Sequence, residues 1–276
     1  MQERSSLPLF MAIANQKGGV GKTTTAVNLA TSLCAVKKRV LLVDLDPQGN
    51  ASTGLGIKSS AREKSSYNLF FDHARFEELV VQTRVPGLSV IPSSVNLSGA
   101  DVELVSATSR EFRLKKALKQ AHGIEAFDYV IIDCPPSLNL TTLNAMVAAD
   151  EVLVPLQCEF FALEGLAHLM KTIDRVRKSF NPVLRLNGVV LTMYDRRNRL
   201  TAMVEKDVRG YFGERVYKTV IPRNVRVSEA PSFGLPAIVY DMECSGSQAY
   251  IQLAKELLRR ERTKAQAVNQ GRGRAA

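Results

Sequence analysis

The sequence Lys17-Gly18-Gly19-Val20-Gly21-Lys22-Thr23-Thr24 follows an apolar run at residues 9–14 and leads into a stretch of helical period at 23–36. Glycine lets a backbone turn tightly and approach an anion without a Cβ clash. The free N–H groups at the start of the helix would face the same anion. The pattern predicts a phosphate-binding loop in which Lys22 reaches the β- and γ-phosphates and the Thr23 hydroxyl binds Mg²⁺. Gln16 stands where the usual loop has its first glycine, and Lys17 is an additional lysine.

Two further apolar runs end in acidic residues. Residues 40–43 lead into Asp44 and Asp46, and residues 129–132 lead into Asp133. Alternate residues of an extended chain point to the same side, and doubly wound sheets bind ligands at the carboxyl ends of their strands. One carboxylate of the first pair is therefore expected to orient an attacking water and the other to support the water shell of a metal. Asp133 has the form of a Walker B aspartate, which holds Mg²⁺.

The chain alternates apolar runs with stretches of helical period. Both faces of these runs are apolar, which is typical of strands buried in a parallel sheet. The alternation predicts an α/β fold, a doubly wound and mostly parallel sheet of the P-loop NTPase type. We predict a single domain over residues 1–262, including an N-terminal extension over 1–10, and a basic disordered tail over 263–276. The predicted strands are 9–14, 40–43, 88–92, 129–132, 152–156, 189–193 and 216–221, and the predicted helices are 23–36, 110–121, 163–180, 202–212 and 247–260.

Composition narrows the function classes. Hydrophobic residues make up 45% of the 276 residues, which excludes a wholly disordered chain. Lys and Arg outnumber Asp and Glu by 37 to 27, and the excess lies in residues 194–227 and 255–276. Two basic segments on a neutral body indicate either a polyanionic partner or a solvated surface with a solubilising tail. The four cysteines lack the spacing of zinc ligands, so reduced thiols and a cytoplasmic location are expected.

Further segments occur in an order that is typical of one family. They are DLDPQGN at 44–50, VIIDCPPS at 130–137, PLQCEFFALEG at 155–165, LTMYD at 191–195 and VIPRNVRVSEAPS at 220–232. The additional lysine of the loop resembles that of the deviant Walker ATPases. With the further segments, the chain resembles the ParA/Soj family, the members of that group that partition chromosomes. The resemblance runs from about residue 13 to about residue 258.

The resemblance implies an ATPase that uses ATP and Mg²⁺. Two subunits would close as a homodimer over two nucleotides, and Lys17 would cross the interface to the partner's phosphates, where its charge acts as an arginine finger does. Asp46 would position the hydrolytic water. The implied catalytic residues are Lys17, Lys22 and Asp46; the metal-binding residues are Thr23, Asp44 and Asp133; and the nucleotide-binding residues are Lys17, Gly18, Gly19, Val20, Gly21, Lys22, Thr23 and Thr24, with Pro222, Arg223 and Asn224 beside the adenine.

The family also implies that the ATP-bound dimer binds double-stranded DNA without sequence preference. Arg197 and Arg226 match its DNA-contacting arginines, and Arg196 and Arg199 flank the first of them. Contacts to phosphate are blind to sequence and sensitive to salt. Weak intrinsic hydrolysis, stimulated by a ParB-type centromere-binding protein, would release the DNA. The chain is therefore expected to be a nucleoid-associated partitioning switch for a chromosome or a plasmid.

Other classes of protein share the loop. A MinD-like membrane-positioning ATPase needs a C-terminal amphipathic helix that inserts into lipid, whereas the chain after residue 260 contains no Leu, Ile, Phe or Trp, so no membrane partner is expected. An iron–sulfur reductase needs two cysteines at a dimer face, whereas Cys134 and Cys158 lie in core-like motifs. A plasmid relative with an N-terminal helix-turn-helix domain needs far more than the residues before Ile13, but a small plasmid-type relative remains open.

Overall fold

The computed structural model describes residues 7–71 and 75–273. Within them the strands form one sheet, and neighbouring strands are parallel except for one antiparallel pair at one edge. The strands are β1 (Leu9–Ile13), β2 (Val40–Asp44), β3 (Val81–Gln82), β4 (Leu88–Ile91), β5 (Tyr129–Asp133), β6 (Glu151–Gln157), β7 (Arg185–Tyr194) and β8 (Val216–Pro222), and their order across the sheet is β3-β4-β2-β5-β1-β6-β7-β8.

Helices cover both faces of the sheet. Neighbouring strand residues divide between two cores, because side chains alternate across a strand: Phe10 belongs to one core and Met11 to the other. Leu33 and Leu253 pack on the Met11 side, and Leu169 packs on the Phe10 side. The helices of the described residues are α1 (Lys22–Ala35), α2 (Asn50–Gly54), α3 (Asn68–Phe71), α4 (Phe76–Leu79), α5 (Leu97–Leu104), α6 (Arg113–Lys119), α7 (Leu140–Ala148), α8 (Ala162–Ser179), α9 (Arg199–Phe212), α10 (Val225–Glu229), α11 (Ala237–Tyr240) and α12 (Ser245–Gly273).

The doubly wound, mostly parallel fold predicted from the sequence is confirmed. All seven apolar runs are strands, and each of the five predicted helices has its counterpart. The prediction missed β3, which is two residues long and too short to show a period. It also missed α7, whose residues are buried nearly all round, because a helix buried on every side shows no stripe.

The two ends of the chain differ from the prediction. Helix α12 continues to Gly273, so residues 263–273 are helical where a disordered tail was predicted. The segment has no apolar period, but it contains good helix formers and extends a helix that is already nucleated. Strand β1 begins at Leu9, inside the predicted extension 1–10. Residues 1–6 and 274–276 of these two predictions lie outside the described residues, and the domain limits 1–262 remain a prediction.

Candidate functional site

The predicted phosphate loop joins β1 to α1 at the carboxyl edge of the sheet. Strand β1 is central: β2 and β5 lie on one side of it and β6, β7 and β8 on the other. Asp133, at the end of β5, is in register with both Ile13 and Asp44. The loop and the two acidic strand ends therefore meet where the strand order reverses, which is the usual ligand site of a doubly wound sheet.

Two of the loop's glycines adopt a conformation that other residues rarely reach. Gly19 has φ 73° and Gly21 has φ 83°, in the left-handed region that favours glycine. Gly21 immediately precedes α1, and its backbone oxygen accepts the N–H of Thr25 at 2.9 Å. The loop is also fastened to β7, because the Thr192 hydroxyl donates to the Val20 carbonyl oxygen at 2.8 Å. The loop is thus held in its turned form by its own glycines and by a neighbouring strand.

The two lysines of the loop occupy different environments. Lys22 is 7% exposed, and its Nζ donates to the Lys17 carbonyl oxygen at 3.0 Å. Burial lowers the pKa of Lys22, and the nearby carboxyl of Asp133 opposes that shift. The Lys17 side chain is about half exposed and is ion-paired with Glu159 of the same chain. Lys22 therefore lies inside the loop, whereas Lys17 extends from it towards solvent.

Asp133 carries the most unusual carboxyl group of this edge. It is fully buried, and neither of its oxygens has a hydrogen-bond partner of standard geometry within the described chain. Burial raises its pKa well above the ordinary value, and the neighbouring Asp44 raises it further. The Thr23 hydroxyl and the Lys22 ammonium group oppose that rise. An orphaned buried carboxyl is costly, and a hydroxyl with a carboxylate beside it is an oxygen set that suits Mg²⁺, so these residues fit the predicted metal.

Asp44 is buried too, but its oxygens are engaged by the loop that follows β2. One oxygen accepts the Ser52 N–H at 2.8 Å and the Ser52 hydroxyl at 2.6 Å, and the other accepts the Asp46 N–H at 3.2 Å. Burial raises the pKa of Asp44 to about 6, against the effect of the Ser52 hydrogen bonds. These bonds connect Asp44 to the shape of the loop. Its predicted part in supporting the metal is untested.

Asp46 lies beyond the strand, since β2 ends at Asp44. The argument that 44 and 46 alternate on an extended chain is therefore wrong in detail: Asp46 begins a turn in which its carbonyl oxygen accepts the Gly49 N–H at 2.8 Å. Arg62 holds this turn from outside, donating to the carbonyl oxygens of Gly49 and Ile57. Asp46 is partly exposed and close enough to Lys22 to affect its pKa.

The predicted adenine segment begins at Pro222, the last residue of β8. Asn224 precedes α10, accepts the Val227 N–H at 3.2 Å and donates to the Ser245 hydroxyl at 3.0 Å. A cavity of about 290 Å³ opens beside Thr23 and Thr24, but residues 222–224 are not among its lining residues. Its wall opposite α1 is formed by Val227, Pro231, Leu235, Pro236 and Ala237.

Comparison with known proteins identifies the family. A family model described as an AAA domain matches residues 9–186. The chromosome partitioning protein ParA of Caulobacter vibrioides (strain NA1000 / CB15N) is 59% identical over 94% of this chain and 97% of its own length. The chain belongs to the ParA/Soj family of P-loop ATPases. The sporulation initiation inhibitor protein Soj of Bacillus subtilis (strain 168) is 52% identical over 90% of this chain and 97% of its own.

A solved structure with the same fold holds a nucleotide. The crystal structure of cobyrinic acid a,c-diamide synthase from Mycobacterium smegmatis with bound ADP and magnesium has a TM-score of 0.81 and 36% identity, and the match covers 94% of this chain and 97% of that one. The P-loop NTPase fold class is therefore confirmed for this ParA/Soj-family chain.

The arginines that match DNA-contacting positions of the ParA/Soj family follow neighbouring strands. Arg196, Arg197 and Arg199 lie at the β7–α9 connection and are exposed, and Arg197 pairs with Asp195 at 3.1 Å. Arg226 lies on α10 after β8, at 3.3 Å from Glu229 and 3.6 Å from Asp241. The Tyr194 carbonyl oxygen accepts the Arg223 N–H at 3.3 Å, which ties the two connections together. The four arginines are thus brought to one side of the sheet edge, and their role remains a prediction.

Three further observations concern membrane spans, thiols and metal ions. Across residues 7–71 and 75–273, none of the helices has both the length and the apolar character needed to cross a bilayer. Cys134 and Cys158 are buried, and burial raises the pKa of the Cys158 thiol to about 11. In the described part of the chain, no three His, Cys, Asp or Glu side chains are grouped to hold a metal ion.

Several residues of the site were not anticipated from the sequence. Glu159 lies in the family segment at residues 155–165, but nothing in the sequence links it to Lys17, 142 residues away. Ser52 and Arg62 are ordinary polar residues whose partners are set by the fold of the 44–62 loop. Thr192 is likewise connected to the phosphate loop only by the neighbouring positions of the loop and β7.

Proposed function

We propose that this ParA/Soj-family protein is an ATP-gated switch for partitioning chromosomal or plasmid DNA. The observation that carries the proposal is Asp133, a buried carboxyl with no hydrogen-bond partner among the described residues, which lies beside the buried Lys22 and the first turn of α1. Such an arrangement is unfavourable when empty and becomes favourable when a cation and phosphates complete it.

The bound group would be ATP with Mg²⁺, which supplies a transferable phosphoryl group and a cation that neutralises its developing charge. Lys22 and the N–H groups after Gly21 would bind the phosphates, and the Thr23 hydroxyl with Asp133 would hold the metal, directly or through water. Asp46 would accept a proton from the hydrolytic water and orient it. Asp44, through Ser52, would keep the loop that carries Asp46 in position.

Nucleotide would control assembly through Lys17. In the single chain this lysine is paired with Glu159, and its side chain extends from the loop towards solvent. We infer that ATP draws two copies into a homodimer in which each Lys17 reaches the phosphates of the partner subunit. Intrinsic hydrolysis is expected to be weak, since a single chain does not hold the complete set of charges, and a ParB-type protein would accelerate it.

The output would be affinity for DNA. Arg197 and Arg226, with Arg196 and Arg199 beside the first, would contact backbone phosphates, and a dimer doubles the number of contacts made at once. Because the dimer needs ATP, DNA binding would follow the nucleotide state, and the protein would be nucleoid-associated until hydrolysis releases it.

The test is binding of the full chain to random-sequence duplex DNA across a salt series, with ATP, with ADP and without nucleotide. We expect ATP to raise affinity at least tenfold, Asp46→Ala to keep that gain while hydrolysis is lost, and Arg226→Ala to weaken binding. Lys171→Ala, which removes an exposed charge on α8, is the matched control.

Equal affinity with and without ATP would overturn the switch. If the chain instead binds anionic lipid vesicles in an ATP-dependent manner and ignores DNA, the protein belongs with the MinD-like membrane-positioning ATPases.

A further inference from the structure

A second and larger cavity, of about 710 Å³, opens at the opposite end of the sheet from the phosphate loop. It lies where β7 and β8 begin and is walled by the second half of α12. Arg260 on α12 lies about 22 Å along the helix from Ser245, at 1.5 Å per residue, and Ser245 is the residue that contacts Asn224 at the nucleotide edge. We call this cavity the basic cleft. Its cationic lining residues are Arg185, Arg209, Arg215, Lys218, Arg259, Arg260 and Lys264.

The basic cleft brings together the two basic segments of the sequence. Arg209, Arg215 and Lys218 come from residues 194–227, and Arg259, Arg260 and Lys264 come from residues 255–276. The arginines at the predicted DNA contact account for only part of the first segment and none of the second. The fold therefore brings six basic residues of the two segments into one concave place, which composition alone could not show.

Four of these cations are ion-paired with three acids and form the floor of the cleft. Glu151, which is 1% exposed, pairs with Arg185 at 2.7 Å and with Lys264 at 3.0 Å. Glu256 accepts Arg260 at 2.8 Å as well as the backbone N–H groups of residues 218 and 219. Arg209 pairs with Glu205 at 2.7 Å. These ion pairs connect the elements that line the cleft, and their three acids offset most of the charge of the four cations.

Three cations of the cleft are left over. Within the described part of the chain, the side chains of Arg215, Lys218 and Arg259 make no hydrogen bond or ion pair, and all three are exposed. Two acids line the cleft. Glu256 is paired with Arg260 in the floor, and Glu214 forms no ion pair within the described residues. Three unpaired cations on a strand, a helix and the turn between α9 and β8 thus line a concave space together with one unpaired acid, which leaves an excess of positive charge.

We propose that the basic cleft binds the phosphate backbone of duplex DNA and does so without nucleotide. Regularly spaced phosphates suit cations that are spread over three elements, and contacts to phosphates carry no base specificity. Its rigid floor is far from the phosphate loop, so ATP has no direct way to change it. The cleft would add a constant, salt-sensitive contact to the ATP-gated one proposed for the arginines near β7 and β8. At physiological salt this contact alone would be too weak to hold the protein on DNA, so hydrolysis would still release it.

The experiment measures the affinity of the full chain for labelled random-sequence duplex DNA without nucleotide, as a function of salt. The cleft variant is Arg215→Gln/Lys218→Gln/Arg259→Gln. Each lost phosphate contact lowers the slope of log affinity against log salt by about 0.9, so we expect a slope smaller by about 2 to 3 and an affinity at least tenfold lower at low salt. The gain in affinity on adding ATP should persist in this variant.

The matched control is Lys171→Gln/Arg175→Gln/Lys178→Gln on α8, which removes the same charge from exposed positions elsewhere. It should lower affinity by less than about twofold, because distant exposed charges are screened. Both variants should unfold at the wild-type temperature, which shows that they are folded. Equal losses of affinity in the two variants, or no loss in the cleft variant, would overturn the proposal.

A second arm separates DNA from free phosphate chains. Inorganic tripolyphosphate, matched to the DNA in phosphate concentration, should compete weakly because three phosphates span less of the cleft. Binding of tripolyphosphate that equals or exceeds that of duplex DNA would assign the cleft to a small polyphosphate instead. Neither result depends on ATP, so the cleft and the ATP-gated switch can fail separately.

Discussion

The phosphate loop and the arginine segments both present positive charge, but they hold it differently. Lys22 is 7% exposed and faces a buried carboxyl, whereas the Arg197 side chain is 90% exposed and is ion-paired with Asp195. Charge acts strongly in a buried, low-dielectric site and weakly at a surface, where water and salt screen it. Substitutions in the loop should therefore abolish ATP hydrolysis almost completely. Substitutions of the arginines should lower DNA affinity in small steps that depend on salt.

The largest effect is expected for Lys22→Gln. Glutamine fills much of the same buried space but removes the charge that would face the phosphates, so ATP hydrolysis should fall by about 10³-fold. Phosphate release under saturating ATP measures the loss. Lys37→Gln, at an exposed lysine beyond the end of α1, should leave the rate unchanged. Hydrolysis within tenfold of wild type in Lys22→Gln would show that the buried lysine is not part of the reaction.

Asp133→Asn should reduce function and raise stability together. Hydrolysis should fall by about 10²-fold, the effect of losing one well-placed electrostatic group. In the nucleotide-free protein the same change removes an unpaired buried charge, so the free energy of unfolding at pH 8 should rise by about 1 kcal/mol or more. Urea unfolding measures the gain, with Asp207→Asn on the exposed face of α9 as the control.

The gain from Asp133→Asn should depend on pH in a defined direction. Burial and the nearby Asp44 raise the pKa of Asp133 in the folded state, so the folded protein binds a proton that the unfolded chain has already released. Wild-type stability therefore falls as pH rises from about 4 through the raised pKa. The advantage of the asparagine variant should be smallest near pH 4 and largest at pH 8. A constant advantage would mean that Asp133 does not titrate in this range.

Arg197→Gln tests the exposed side of the comparison. Loss of one phosphate contact should reduce the salt slope of ATP-dependent DNA binding by about 0.9 per subunit and lower affinity several-fold at low salt. Hydrolysis without DNA should be unchanged, since this arginine is at the β7–α9 connection and outside the loop. Repeating the titration at high salt should erase the difference. A loss that persists at high salt would indicate a structural role for its pairing with Asp195.

The fold and the nucleotide edge were predictable because their signals are local. Each buried strand is a short apolar run, and the loop Lys17–Thr24 is contiguous, so the order of segments was enough to place Asp133 beside it. The end of α12 was mispredicted because an apolar period reports packing and not helix propensity.

The unpredicted features depend on residues distant in sequence. Three of these features exist only once the sheet has assembled. They are the Lys17–Glu159 ion pair, the hydrogen bond from Arg62 to the Gly49 carbonyl oxygen, and the unpaired cations of the basic cleft. A net charge of a segment can be counted from the sequence, but which of its charges are already neutralised cannot.

The smallest effect is expected at Glu159, and it sharpens the contrast between the two lysines of the loop. An exposed ion pair contributes at most about 1 kcal/mol, so releasing Lys17 by Glu159→Gln should make dimer formation easier by no more than about fivefold per subunit. Sedimentation with ATP measures the dimer, and hydrolysis at low protein concentration should rise in parallel. Glu164→Gln, in the first turn of α8, is the matched control.

Salt separates the two roles that Glu159 could have. If the pair restrains Lys17 in the single chain, added salt should weaken it in the wild type and bring the wild type towards the variant. If Glu159→Gln instead lowers dimer formation at every salt concentration, the carboxylate is needed in the closed dimer. Lys17 would then have a partner in both the single chain and the closed dimer. In that case nucleotide would not act by releasing Lys17 from an ion pair.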